Sequence, residues 1–372
     1  MSTSADGGAG SLRAAIATAN THTNGETRIE LPSGTYTLSN CGLADDTNAT
    51  GDLDSLAGVP LTIAATGPDI VIRQTCAGER VLDHHGAGLL TLIDVKIEGG
   101  SLTSTGSSEA AQGGGVRVKG DAWLEGTSIA SNSATSISDS SDASAAAHGG
   151  GLFVGGSLHA IASTFDSNTA TAASGQSAEG GGAYVVGVVT LTASSFSHNR
   201  VVGGGNAPGW GRGGGLAQHS SSTGPVRTTA VQFTHNSAEG GMHVLDAGEG
   251  ASATGGGLAV AGALIGHNLA LADNIAVGAT IPYSATLPGA ASGAAISAAG
   301  SVTLTASTLA RNRAVGGSAQ GFCRYGWIGI PGGQIYPTGC LGGDGRGAEG
   351  AAIWSGGSAS LSNATLVENV AV

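Results

Sequence analysis

Three residues able to do chemistry stand at matched places in this chain. His198, His235 and Asp273 each directly precede an asparagine that closes a short segment. Two imidazoles and a carboxylate brought side by side could ligate a transition metal or run acid–base chemistry. Elsewhere the same position reads Ser131, Ser167, Arg311 and Glu368, so a solvated face accommodates the pattern as well. A second set, His148, Glu179 and Arg212, stands directly before runs of glycine. It offers a catalytic grouping or a surface ion-pair ladder of little energetic worth. Phe153 and Tyr184 fall two residues after those runs, and Trp210 lies in the connection that follows. Alternation predicts an outward-facing aromatic pair suited to sugar rings, unless the variable loops cover it.

The run from Ala44 to Asp54 offers Asp45, Asp46, Asp52 and Asp54, hard oxygen donors of the kind Ca²⁺ takes. It lacks the glutamate that closes an EF-hand loop, and a structural turn is the favoured reading over a Ca²⁺ site; otherwise no cofactor is expected. Four cysteines allow three pairings. By position Cys41 pairs with Cys76 and Cys323 with Cys340, which implies an oxidising compartment; four reduced thiols are the alternative. Neither spacing is that of a zinc site. The segment Gly317 to Glu349 carries Phe322, Arg324, Tyr325, Trp327, Tyr336 and Arg346, the composition of a recognition surface or of a lid. A pectinase-like hydrolase needs two or three clustered aspartates, and no such trio recurs in the repeats. A polyuronate lyase needs cations, and only Lys96, Arg117 and Lys119 group on the early part of the chain.

What positions these residues is a repeat. Segments beginning at Gly113, Gly149, Gly180, Gly213, Gly255, Gly293 and Gly350 end at Asn132, Asn168, Asn199, Asn236, Asn274, Asn312 and Asn369. The spacing is 19 positions in all but the fourth, where it is 23. Within each unit apolar residues alternate over short runs, the signature of strands and not of helices. A unit this short is too small for a propeller blade. One coil of a right-handed parallel β-helix fits, with three short strands per coil and about 4.8 Å between coils. The asparagines should then form an amide ladder at one corner. Apart from the four extra residues inside the fourth unit, the length variation falls between each asparagine and the next glycine run, which places these insertions on one edge, where repeat proteins build binding faces.

Composition agrees. Of 372 residues 67 are glycine, 40% are apolar and 11% are charged, too apolar for a solvated disordered chain. The net charge of −12 opposes binding to nucleic acid. No apolar run is long enough to span a bilayer as a helix, and no secretory signal peptide is present in this sequence. Residues 1–112 read as irregular first coils behind a short amphipathic helix at 11–20, with Ser11 as N-cap and Leu12, Ala15, Ile16 and Ala19 on one face. That helix would plug the open end of the core. Residues 113–372 carry the seven repeats and form one continuous domain with the first part. The chain stops directly after a repeat, so we expect a longer protein, with a C-terminal anchor domain or a partner closing that end.

The glycine-rich starts and the F-x-x-N ends (Phe165–Asn168, Phe196–Asn199, Phe233–Asn236) resemble the repeats of polymorphic outer-membrane proteins. GSLRAAIATAN, IELPSGTYTLS and ATGDLD resemble the CSLREA-type domain at the start of many bacterial surface β-helix proteins. Gly10 and Ala14 replace that motif's cysteine and glutamate, and Leu271, Leu309 and Leu366 replace the phenylalanine in later units. The resemblance implies a secreted or surface-displayed protein and says little about activity. The expected function is adhesion to a glycan or surface protein through the loop edge, as in an autotransporter-like passenger. A polysaccharide lyase or glycosidase is the alternative, and a structural stalk the third reading.

Overall fold

The computed structural model describes residues 5–42, 46–56, 58–105, 110–137, 146–173, 175–205, 209–241, 250–280, 288–318 and 347–372, together with the backbone of 323–327 and 335–340. The chain is a right-handed parallel β-helix behind one short helix, α1 (Leu12–Ala19). Ser11 caps α1 by accepting the Ala14 amide at 3.1 Å. Leu12, Ile16 and Ala19 are buried against the first coil, which closes that end of the core.

Three long sheets enclose that core. Sheet I begins at Thr27–Leu31 and has ten strands, sheet II begins at Gly34–Leu38 and also has ten, and sheet III begins at Leu53–Ser55 and has nine. From the third coil onward each turn carries two further strands. Sheet IV, starting at Ser101–Ser104, follows the asparagine corner, and sheet V, starting at Ala111–Gln112, precedes the glycines. The three strands per coil expected from the sequence therefore hold only for the first two coils. Coils three to nine have five, because both ends of each connection pair with their neighbours above and below. Sheets IV and V share a thin apolar layer made almost wholly of alanine, including Ala111, Ala134, Ala147, Ala170 and Ala178. Larger side chains would hold the two sheets apart, which gives the chain's abundance of small residues a structural cause.

The corners explain the repeat. The glycine that opens each of the seven units has φ between 54° and 70°, a left-handed conformation that costs glycine least. The residue before each repeat asparagine is also left-handed, from Ser131 at 55° to Glu368 at 53°. None of those seven is glycine, and the conformation costs an ordinary residue about 1–2 kcal/mol. The asparagines supply the offset. Nδ2 of Asn168 donates to Oδ1 of Asn199 at 3.0 Å, Asn199 to Asn236 at 3.0 Å, Asn236 to Asn274 at 2.9 Å and Asn274 to Asn312 at 2.9 Å. Each of those Oδ1 atoms also accepts the backbone N–H of the asparagine that donates to it, as Asn199 Oδ1 does from Asn168 at 3.0 Å. Beside the ladder, Phe165, Phe196 and Phe233 stack with ring centroids 4.3 and 4.7 Å apart.

Candidate functional site

The register sets the three sequence columns side by side as expected. Phe153 pairs Tyr184, and the column runs Arg117, Phe153, Tyr184, Ala217, Ala259, Ser297, Trp354. His148, Glu179 and Arg212 are consecutive in sheet V. The aromatic pair, however, is not an exposed platform. Phe153 is 8% exposed and Tyr184 2%, because the outer face of sheet III is covered by the strands of sheet V. His148 lies flat on Tyr184, ring centroids 4.4 Å apart, and Tyr184 stacks on Phe153 at 5.6 Å. The two columns read separately in the sequence are one packed cluster. Glu179 and Arg212 do form an ion pair, at 3.0 Å.

Burial lowers the His148 pKa, with Glu179 opposing and His219 adding to the shift, and His148 Nδ1 is enclosed without a hydrogen-bond partner among the described residues. Burial, then Glu179, raises the Tyr184 phenol against Arg212. A histidine with a depressed folded pKa binds its proton more readily when unfolded, so the native state loses stability as pH falls below about 6.5. We expect the unfolding midpoint to drop between about pH 7.5 and about pH 5, and a His148→Phe variant to drop less. Parallel denaturation curves at the two pH values would show the effect, and equal losses would refute it.

His198 and His235 stack at 5.2 Å on the outer corner, and both are exposed. Asp273 is held by Arg311 through two hydrogen bonds of 2.8 and 2.7 Å and lies 4.0 Å from His235. His198 meets Asp166 instead, at 3.1 Å. This column is a surface ladder of charges and rings. Trp210 is 56% exposed on the loop-bearing edge, just ahead of a sheet V strand. Trp123 stacks on His159 at 4.0 Å on the outer face of sheet I, an aromatic pair the sequence reading missed. Cys41 and Cys76 form a disulfide between the first two coils. Cys323 lies opposite Cys340 in a two-stranded antiparallel ribbon that also carries Tyr325, Trp327 and Tyr336, whose side chains lie outside the described residues. Asp45, Phe322 and Arg346 lie outside them as well.

The densest chemistry sits at the first two coils. Asp54 pairs Asp83 in sheet III, and Asp83 pairs Arg117, so the third column continues back by two coils into aspartates. Carboxylate oxygens of Asp52, Asp54 and Asp83 lie within 4.8 Å of one another, all buried. The clustered trio absent from the repeats is present ahead of them. Arg80 pairs with Asp83 and lies 3.4 Å from Asp52, while Arg117 Nε donates to Asp83 Oδ1 at 2.8 Å. Burial pushes Asp83 upward, but His85, Arg80 and Arg117 outweigh it and hold the carboxyl below its usual range. Burial pushes Asp52 up to about 8 against Arg80, with Asp54, Asp83 and Glu79 adding to the rise. It pushes Asp54 up to about 7 against the Asn48 amide.

Arg13 of α1 braces this region, donating to the carbonyls of Thr50, Gly51 and Asp52 at 3.1, 2.8 and 2.7 Å, and to Asp6 at 2.7 Å. Asn48, at φ 62°, donates its backbone N–H to Asp54 Oδ2 at 3.0 Å. The sequence reading found Asp52 and Asp54 and missed Asp83, Arg80 and His85. The signal was there: Leu-Asp recurs at 53–54 and 82–83, one coil apart. The chain matches no family model, no curated protein and no solved structure.

Proposed function

We propose that this protein is a secreted or surface-displayed recognition scaffold that binds a glycan through its loop-bearing edge. One observation carries the reading: from the third coil on, each variable connection leaves sheet IV and returns at sheet V, so loops of different length stack along a single edge of a rigid rod. Trp210 stands on that edge with more than half its surface open, and an exposed indole is a favourable face for a sugar ring. The Cys41–Cys76 disulfide fits an oxidising location, and the likeness to CSLREA-type and polymorphic outer-membrane repeats supports surface display.

Cleavage of a polysaccharide is the less supported reading. The aspartate trio has the residue types for acid–base work, but all three carboxylates are buried and Asp83 is neutralised by two arginines. A catalytic carboxylate must reach its substrate.

The test is a glycan array run beside a panel of acidic polysaccharides monitored for unsaturated uronates. We expect retention of a defined glycan without chain cleavage, weakened about tenfold or more by Trp210→Ala. Cleavage would replace the reading with an enzyme. Retention of a surface protein instead of any glycan would change the ligand class, and silence in every arm would leave a structural stalk.

A further inference from the structure

We propose that Asp46, Asp54 and His85 form a binding site for one divalent transition cation, Zn²⁺ or Mn²⁺, which latches coil one onto coil two. Their ligand atoms already converge. His85 Nε2 lies 3.7 Å from Asp54 Oδ1 and 3.9 Å from Asp46 Oδ1, and all three atoms fall within 4.8 Å of one another. Ligands bound at about 2.0–2.2 Å to a common ion sit roughly 3–4 Å apart, so closure needs shifts of up to about 1 Å. The Asp46 side chain, 80% exposed, is free to make them.

An observation independent of the clustering points to a ligand. Asp54 is fully buried, its Oδ2 accepts the Asn48 amide, and its Oδ1 has no hydrogen-bond partner among the described residues. A buried carboxylate oxygen left unsatisfied is costly, and native structures rarely keep one without an ion or water to meet it. That oxygen is the one facing His85 and Asp46. The neighbouring carboxylates are already served: Arg80 reaches Asp52 and Asp83, and Arg117 reaches Asp83. His85 Nε2 also lies 3.2 Å from Asp83 Oδ2 and from Arg117 Nη2, so taking up an ion means that His85 exchanges those contacts for the metal.

The donor set selects the ion. Carboxylate oxygens suit Ca²⁺ and Mn²⁺, and an imidazole nitrogen shifts preference away from Ca²⁺ toward zinc and its transition-metal neighbours. The site therefore departs from the calcium expectation of the sequence, which drew on Asp45, Asp46, Asp52 and Asp54. Its structural consequence follows from position. Asp46 lies two residues before Asn48, which fastens to Asp54, while His85 follows the second strand of sheet III. An ion joining them ties consecutive coils at the end where α1 closes the core.

The experiment uses the full chain, stripped with a chelator and titrated calorimetrically with Zn²⁺ and, separately, Mn²⁺. We expect one equivalent bound per chain and a higher thermal unfolding midpoint in its presence. Asp46→Asn and His85→Gln should each weaken binding at least about tenfold. The exposed position of Asp46 lets Asp46→Asn fold normally, which is checked by a metal-free midpoint equal to that of the stripped wild type. His235→Gln controls for the surface imidazole pair and should bind as the wild type does. The proposal is overturned if neither ion binds, if Asp46→Asn binds undiminished, if His235→Gln removes the binding, or if Ca²⁺ alone is taken up.

Discussion

Asn199→Ala is expected to destabilise the protein by about 3–5 kcal/mol, a large share of what holds a domain folded. The side chain lies at the centre of the ladder and is fully buried. Its Oδ1 accepts both the backbone N–H and the Nδ2 of Asn168 at 3.0 Å, and its Nδ2 donates to the Phe165 carbonyl at 2.8 Å and to Asn236 Oδ1 at 3.0 Å. Alanine takes the acceptor from the Asn168 backbone N–H and from one Asn168 Nδ2 hydrogen, the other keeping the Ile129 carbonyl at 2.9 Å, and takes a donor from the Phe165 carbonyl, in a dry corner where each unmet group costs about 1–3 kcal/mol. The corner also holds His198 in a left-handed conformation, so releasing the ladder frees local strain to open it. Asn199→Asp separates hydrogen bonding from shape. Its oxygens can still accept from Asn168, but an ionised carboxylate has nothing to donate and would face the Phe165 carbonyl and the Asn236 oxygen. It should therefore also destabilise strongly despite equal volume. At Asn132, where Oδ1 accepts from the Gly100 N–H and, among the described residues, from no asparagine side chain, alanine should cost less. Urea denaturation of the three variants gives the ranking, and hydrogen exchange at the Asn168 amide reports the opened corner directly. A cost below about 1 kcal/mol for Asn199→Ala would mean the ladder is not what holds the corner.

The ladder was legible because it is periodic. Glycine at one corner and asparagine at another are conformational requirements that each coil must meet anew, so they recur at a fixed interval whatever the intervening side chains. The register of His148, Glu179 and Arg212, and of Phe153 and Tyr184, followed from the same interval. Burial did not. Alternation tells which residues share a face of one sheet, but not whether another sheet covers that face. Sheet V consists of two-residue strands such as Ala147–His148, too short to leave an alternating pattern, and it is these that bury Phe153 and Tyr184. The aspartate cluster escaped for a related reason. The first two coils lack the glycine triplets, so nothing marked Leu53–Ser55 and Leu82–His84 as neighbours except a repeated Leu-Asp. Arg13 lay hidden in a helix read only for its apolar face, although its guanidinium is what joins that helix to the Thr50–Asp52 backbone.

Phe196→Ala should rival the ladder variant, at about 3–5 kcal/mol. The ring is fully buried between Phe165 and Phe233, parallel to within 4° and 9°, so its removal opens a cavity with aromatic walls above and below. Neither wall can collapse into it. Both neighbouring strands are fixed in register by the sheet, and their ends are pinned by Asn168 and Asn236. The same column continues as Ile129 before the stack and as Leu271, Leu309 and Leu366 after it, so this place in the coil tolerates branched aliphatic side chains. Phe196→Leu should accordingly cost much less, below about 1.5 kcal/mol, since it keeps most of the volume and introduces no polar group. The gap between the two variants isolates packing from backbone geometry, because neither touches a hydrogen bond of the ladder. Denaturation midpoints that fall equally for alanine and leucine would show that the stacked rings themselves, and not the filled volume, hold this stretch of the rod together.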